Sequence, residues 1–187
     1  MTNLLQTILT LAAAFLAVSG EATLAGLRHW LGAQVDLLPG LMVYAALNAD
    51  IVTVSLLAVF SGLWFDALSA NPLGTSILPL FSVGFVIWRQ RDLILRESAF
   101  AQLVLGASAS AVVPGLSVLL LLTLGQSPLL GWGSIWQWLV ITAGGAVATP
   151  VVFVLFDWCH RALGYQPHTE TSFRPDREIR RDKILRE

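Results

Sequence analysis

Long apolar runs separated by short polar stretches dominate this chain. A membrane-spanning helix needs about 20 mostly apolar residues, with a range near 17–25. Runs of that kind occupy about 4–18 (extendable to 25), 37–65, 73–88, 100–124 and 135–156. The pattern predicts an all-α membrane protein with about six transmembrane helices in one compact bundle.

The run 37–65 allows two interpretations. It is apolar except for Asn48 and Asp50, and it is too long for one ordinary span. Asn and Asp favour turns, so two short spans, 37–47 and 51–65, could meet at Asn48–Asp50. One tilted helix with a buried Asp50 is the competing interpretation, and it carries the cost of a charged group inside the membrane.

Composition supports lipid as the solvent for much of the chain. Charged residues make up 12% and hydrophobic residues 56%, whereas soluble domains carry about 25% charged residues. The N-terminal run lacks the positively charged start of a secretory signal, because Met1-Thr2-Asn3 has no Lys or Arg. We therefore expect that this run is a retained first span.

The basic residues predict the orientation of the chain in its membrane. Arg89, Arg91 and Arg96 form one cluster, and seven more basic residues lie between 161 and 186. Cytoplasmic segments carry the excess of Arg and Lys, so both regions, and with them the C-terminus, are expected inside. Six spans also place the N-terminus inside, whereas a single span over 37–65 would place it outside. We predict a bundle over 1–158 and a charged cytoplasmic tail over 159–187.

Recognisable catalytic or metal-binding patterns are missing from the sequence. His29, His160 and His168 lie in connections or in the tail, and Cys159 is the only cysteine. There is no H-E-x-x-H, no phosphate-binding glycine loop and no G-x-G-x-x-G. The sequence therefore predicts a protein that is not an enzyme and that has no metal site and no cofactor.

The acidic residues near span ends each allow two roles. Asp66 follows a predicted span; it could pair with a partner's arginine or carry protons, or it could bond to the turn that follows. Asp50, with Asn48, has the same choice between a functional group and a turn. Asp36 fits a plain interfacial residue.

Two pairs of small residues predict close helix packing. Gly106 and Ser110 are four residues apart in one span, and Gly145 and Thr149 are four apart in another. Small residues at this spacing let helix backbones approach closely. Such pairs serve internal packing more often than a dimer interface.

The region 35–91 carries a family resemblance. It reads V-D-L-L-P-G-L-M-V-Y-A-A-L-N, then S-G-L-W-F-D-A-L-S-A-N-P-L-G, then an apolar span that ends in W-R-Q-R. This resembles the MreD family of bacterial rod-shape proteins, with an aspartate near the second span and a G-L-x-x-D-x-L-S-x-x-x-L-G segment. The matching positions here are Asp36, Gly62, Leu63, Asp66, Leu68, Ser69, Leu73 and Gly74. Val35 stands where the family usually has proline before the aspartate.

The resemblance implies both a fold and a role. The expected fold is the six-helix bundle of vitamin-transporter substrate-binding components. The expected role is a non-catalytic scaffold and regulator of cell elongation that binds MreC and supports lateral peptidoglycan synthesis and rod shape. The implied partners are a MreC-like protein and, through it, MreB, RodA and its paired transpeptidase. The segment from Gly62 to Gly74, with Asp36, is the expected contact region. The alternative is a substrate-binding subunit of a small-molecule, vitamin-type transporter.

Overall fold

The computed structural model describes residues 2–23, 36–69, 72–94, 98–125 and 131–162. Within these ranges the chain is all-helical, with six α-helices, one short 3-10 turn and no strand, which confirms the predicted helical class. The helices are α1 Thr2–Thr23, α2 Leu38–Asn48, α3 Ile51–Leu68, α4 Ile77–Gln90, α5 Ala99–Thr123 and α6 Trp132–Ala162, with the 3-10 turn at Arg91–Leu93.

Three of the helices are long and apolar enough to cross a membrane, namely α3, α5 and α6 up to Cys159. Of the other predicted spans, α1 has 22 residues, but its apolar part, Leu4–Gly20, is shorter than a full span, and α2 and α4 are shorter helices. α2 has 11 residues and α4 has 14, so they rise about 16 and 21 Å, against a hydrocarbon layer of about 30 Å. The structure therefore gives a helical protein with three described helices of membrane-spanning length and apolarity, and the total of six spans stays a prediction.

The run 37–65 is split into two helices. α2 ends at Asn48, α3 begins at Ile51, and Ala49 and Asp50 between them have extended backbone. The two helices are antiparallel neighbours, because Met42 and Val54, on either side of the turn, both lie against Gly84 of α4. The turn interpretation of Asn48–Asp50 is the one that the structure adopts.

α2 occupies the centre of the bundle. Every residue from Leu38 to Leu47 is buried. The helix packs against α1, α3, α4 and α5, and it meets α6 through the edge-to-face ring pair of Tyr44 and Phe153 and through Gly40 against Thr149. An apolar helix that is buried on all sides needs no polar face, which explains its uniformly apolar sequence.

The predicted end of the bundle at residue 158 falls within α6. This helix continues to Ala162, beyond the expected end of the bundle at 158, and residues 163–187 lie outside the described residues. The chain divides into two compact units, Met1–Leu155 and Phe156–Glu187. The features discussed below belong to the first unit.

Candidate functional site

Asp66 connects the end of α3 to the start of α4 through hydrogen bonds. α3 runs to Leu68, so Asp66 lies in its last turn and not in the connection that we expected. Its carboxylate is buried, with 1% exposure. Oδ2 accepts hydrogen bonds from the backbone N–H groups of Gly74 (2.8 Å) and Ser76 (3.1 Å), and Oδ1 accepts one from the Ser76 hydroxyl (2.5 Å).

This arrangement is a helix cap that is supplied from a neighbouring helix. Ser76 is the residue that precedes the first turn of α4, and the first N–H groups of a helix lack partners within the helix. The Asp66 carboxylate accepts from the N–H of Ser76, at the boundary of α4, and from that of Gly74 in the preceding turn, and a negative charge there interacts favourably with the helix dipole. Of the two roles open to Asp66, the structure shows the hydrogen bonds to the following turn.

Two glycines of the same segment make the corner possible. Gly74 has φ +94°, a backbone conformation that glycine adopts without steric cost. At Gly62, an added Cβ would lie 2.9 Å from the backbone N and Cα of Ile77. The backbones of α3 and α4 therefore meet directly at this point, and a side chain at position 62 would separate them.

Of the remaining residues in this segment, one ends α3 and two are exposed. Ser69 ends α3, and its N–H donates to the carbonyls of Phe65 (3.0 Å) and Asp66 (3.3 Å). Leu68 and Leu73 project outward, with 53% and 71% exposure. We call Gly62, Asp66, Ser69, Gly74 and Ser76 the corner, and Leu68 and Leu73 the leucine pair.

Asp36 lies apart from the corner in sequence, just before α2. Its Oδ1 accepts a hydrogen bond from the N–H of Leu38 (2.9 Å), so it caps the start of the central helix. Burial raises the pKa of its carboxyl to about 6, and the Leu38 hydrogen bond partly opposes this. Because α2 and α3 are antiparallel, Asp36 lies at the same end of the bundle as the corner.

The opposite end of the bundle is held by bonds to the α2–α3 turn. Gln6 Nε2 of α1 donates to the carbonyl of Asn48 (3.0 Å). Arg91 Nη1, just after α4, donates to the carbonyl of Ala49 (3.1 Å). These bonds satisfy carbonyls at the end of α2, where the helix leaves them without partners. Three chain segments thus meet at this end, namely the start of α1, the α2–α3 turn and the end of α4.

The two small-residue pairs pack against each other. An added Cβ at Gly106 would overlap the Thr149 side chain, and one at Gly145 would overlap the Ser110 side chain. The Thr149 hydroxyl donates to the Gly145 carbonyl (2.8 Å). Both pairs therefore serve internal packing between α5 and α6, which is the more common of their two uses.

Beyond this crossing, α5 and α6 line a partly open cavity. Its volume is about 690 Å³. The Trp138 indole N–H donates to the carbonyl of Ala111 at its edge (2.9 Å). The lining side chains are mostly apolar, and Ser134 and Gln137 are the polar ones among the described residues. These residues are Pro114, Gly115, Val118, Gly131, Trp132, Ser134, Ile135, Gln137, Trp138 and Ile141.

The described residues bring together no group of three or more His, Cys, Asp or Glu side chains that could hold a metal ion. Comparison with protein-family models, with curated proteins and with solved structures finds no match for this chain. Functional inference therefore depends on the geometry and on the sequence pattern.

Sequence reasoning missed several residues of these sites. Ser76 completes the corner, and its signal was a serine directly before an apolar run, which is a typical helix start. Gln6 and Arg91 hold the α2–α3 turn from positions more than 40 residues away. No local pattern indicates such long-range bonds to backbone carbonyls.

Proposed function

We propose that this chain is a non-catalytic scaffold of the MreD type in the bacterial inner membrane. In this proposal it has six spans with both termini in the cytoplasm. It binds a MreC-like protein and, through it, supports MreB, RodA and the paired transpeptidase in lateral wall synthesis and rod shape. In the same proposal, its bundle has the fold of vitamin-transporter substrate-binding components.

The corner is the observation that carries the proposal. The segment on which the resemblance depends is one connected structural unit, with Asp66 fixing the start of α4 and Gly62 allowing the two backbones to meet. Because these residues act together to join two helices, we take their match to the MreD segment as a sign of a common fold and not of a chance run of glycine, leucine and aspartate. A rigid corner also suits a scaffold, because it holds exposed side chains in fixed positions.

The leucine pair is the proposed partner contact. Gly62 and Asp66 are buried, so they cannot touch a partner directly, and their role is to position the segment. Leu68 and Leu73 border the corner and are exposed. In lipid, helices associate through close van der Waals packing and a few polar contacts, which apolar side chains on a rigid support can provide.

Photo-crosslinking in cells tests this contact. A photoreactive amino acid replaces Leu73 or Leu68, and a matched control replaces Leu93, which is 84% exposed at the opposite end of α4. We expect adducts with the MreC-like protein from 68 and 73 and none from 93. Adducts from all three positions alike, or adducts with lipid alone while the partner still co-purifies, would contradict the proposal.

The transport alternative ranks second. A binding subunit for a polar vitamin needs several polar groups that converge on an enclosed pocket. The cavity between α5 and α6 is only partly enclosed, and its described lining offers only Ser134 and Gln137 as polar side chains. A tight vitamin complex of the purified chain, measured by calorimetry, would reverse this ranking.

A further inference from the structure

An aromatic row follows one face of α4 and ends at an arginine. Phe81 and Phe85 have ring centroids 5.9 Å apart, and Phe85 and Trp88 have centroids 6.3 Å apart, both pairs stacked at 27°. The Arg91 guanidinium carbon lies 5.4 Å from the centroid of the Trp88 ring. The spacing 81, 85, 88, 91 is that of one helix face, so the four side chains form a continuous line, which we call the aromatic row.

The two ends of the row differ in chemistry. Phe81 and Phe85 are 36% and 43% exposed and present flat apolar rings to the surroundings of the bundle. Arg91 is fixed by its bond to the Ala49 carbonyl and by its position over Trp88. A guanidinium has five N–H donors, and Nη1 is the one that donates to protein within the described residues.

Arg91 has one weak ion-pair contact, with the neighbouring Asp92, among the contacts that the described residues show. Asp92 Oδ1 lies 3.9 Å from Arg91 Nε, and the Asp92 side chain is 88% exposed. That distance is too long for a hydrogen bond, and an ion pair so exposed contributes little. The Arg91 side chain is 31% exposed, so part of it is accessible to a ligand anion.

The length of the row matches one leaflet of a membrane. From Phe81 to Arg91 the chain rises about 15 Å, which is about half of the 30 Å hydrocarbon layer. The apolar end thus reaches the depth of acyl chains when the arginine reaches the depth of phosphates. Basic groups between spans on the cytoplasmic side are known binding sites for anionic headgroups.

We propose that the aromatic row binds one anionic phospholipid. The acyl chain lies along Phe81 and Phe85, and the phosphate accepts charge-assisted hydrogen bonds from Arg91. The bound lipid lies across the end of α4 and the α2–α3 turn, which Arg91 joins, so its binding stabilises that end of the bundle. The inference needs the membrane location proposed above but not the MreC partnership.

Native mass spectrometry of the full-length chain tests the proposal. The protein is purified in detergent and mixed with equal amounts of phosphatidylglycerol and phosphatidylcholine. We expect one phosphatidylglycerol to be retained in preference to phosphatidylcholine. Equal retention of the two lipids would overturn the proposal, because both have acyl chains and only one has a net negative headgroup.

Matched variants separate a site from diffuse surface charge. Arg91→Gln is expected to weaken phosphatidylglycerol retention about tenfold, the effect of one charge-assisted hydrogen bond. Arg89→Gln removes the same charge from an exposed arginine outside the row and should change retention less than twofold. Arg91→Lys keeps the charge but loses the planar donors and the stacking, so it should also lose preference. Equal losses in Arg91→Gln and Arg89→Gln would overturn the proposal.

Two further measurements guard against trivial explanations. Arg91→Gln also loses the bond to Ala49, so Phe85→Leu, which leaves that bond in place, tests the acyl-chain half of the site. We expect a severalfold loss of retention in this variant at an unchanged unfolding midpoint, and unchanged retention would count against the row. Inorganic phosphate should not displace the lipid; displacement would indicate a free-anion site and would overturn the lipid assignment.

Discussion

Removing the Asp66 carboxylate should destabilise the bundle more than any other single change at an acidic residue. Asp66→Ala leaves three donors without a partner, namely the N–H groups of Gly74 and Ser76 and the Ser76 hydroxyl. Each buried donor left unpaired costs about 1–3 kcal/mol. Since relaxation and water recover part of this, we expect a loss of about 3–5 kcal/mol. Asp66→Asn keeps the shape but turns one acceptor into a donor that faces other donors, for a loss of about 2 kcal/mol.

The assay is equilibrium unfolding of the purified chain in mixed micelles, followed by far-UV circular dichroism. Asp92→Asn is the matched control, because Asp92 is 88% exposed and should change stability by less than about 0.5 kcal/mol. Ser76→Ala completes a double-mutant cycle with Asp66→Asn, with an expected coupling of about 1 kcal/mol. An Asp66→Ala chain as stable as Asp92→Asn would refute the capping role.

Three further predictions concern packing and pH. Gly62→Ala should cost about 1–3 kcal/mol by overpacking against the α4 backbone, whereas Gly20→Ala, with open space around it, should be neutral or stabilising in the same assay; equal effects would contradict the close approach. Gly145→Ala should lower the unfolding midpoint, and adding Ser110→Gly should restore part of it, so a failure of this rescue would show that the two residues do not clash. Folding raises the Asp36 pKa from 3.8 to about 6, so the contribution of Asp36 to the free energy of unfolding is complete below pH 3.8 and is lost as pH rises through about 6. Asp36→Asn should therefore flatten the pH dependence of unfolding between about pH 4 and 7. An unchanged slope would exclude Asp36 as the source of that dependence.

The sequence was most informative where polarity changes abruptly. The apolar runs predicted α3, α5 and α6 because a membrane span has a characteristic length. The turn residues Asn48 and Asp50 indicated the break between α2 and α3, since they provide local hydrogen bonds that a helix does not need.

The sequence was silent about which apolar helix lies at the centre. α2 is buried on every side, whereas α5 exposes much of its surface, yet both are uniformly apolar. In water, an amphipathic pattern separates the buried face from the solvated face. Lipid is as apolar as the core, so this contrast disappears and hydropathy cannot separate inside from outside.

The corner shows that residues expected at a partner contact also have a structural role. Sequence reasoning singled out Gly62, Asp66 and Gly74 as contact residues, and the structure places their interactions within the bundle. The partner of the Asp66 carboxylate, Ser76, lies ten residues away across a connection whose geometry depends on the positive φ of Gly74. The leucine pair remains the proposed contact surface.

Depletion of this protein in its own cells tests the scaffold proposal most directly, read as cell shape together with co-purification of the MreC-like protein. Wild-type protein supplied in trans should restore rods and recover the complex. Asp66→Ala, which weakens the corner, should restore neither at matched membrane levels, and Asp92→Asn should restore both. Normal rods after depletion, with no MreC-like protein recovered, would contradict the account and make the transport alternative the leading interpretation.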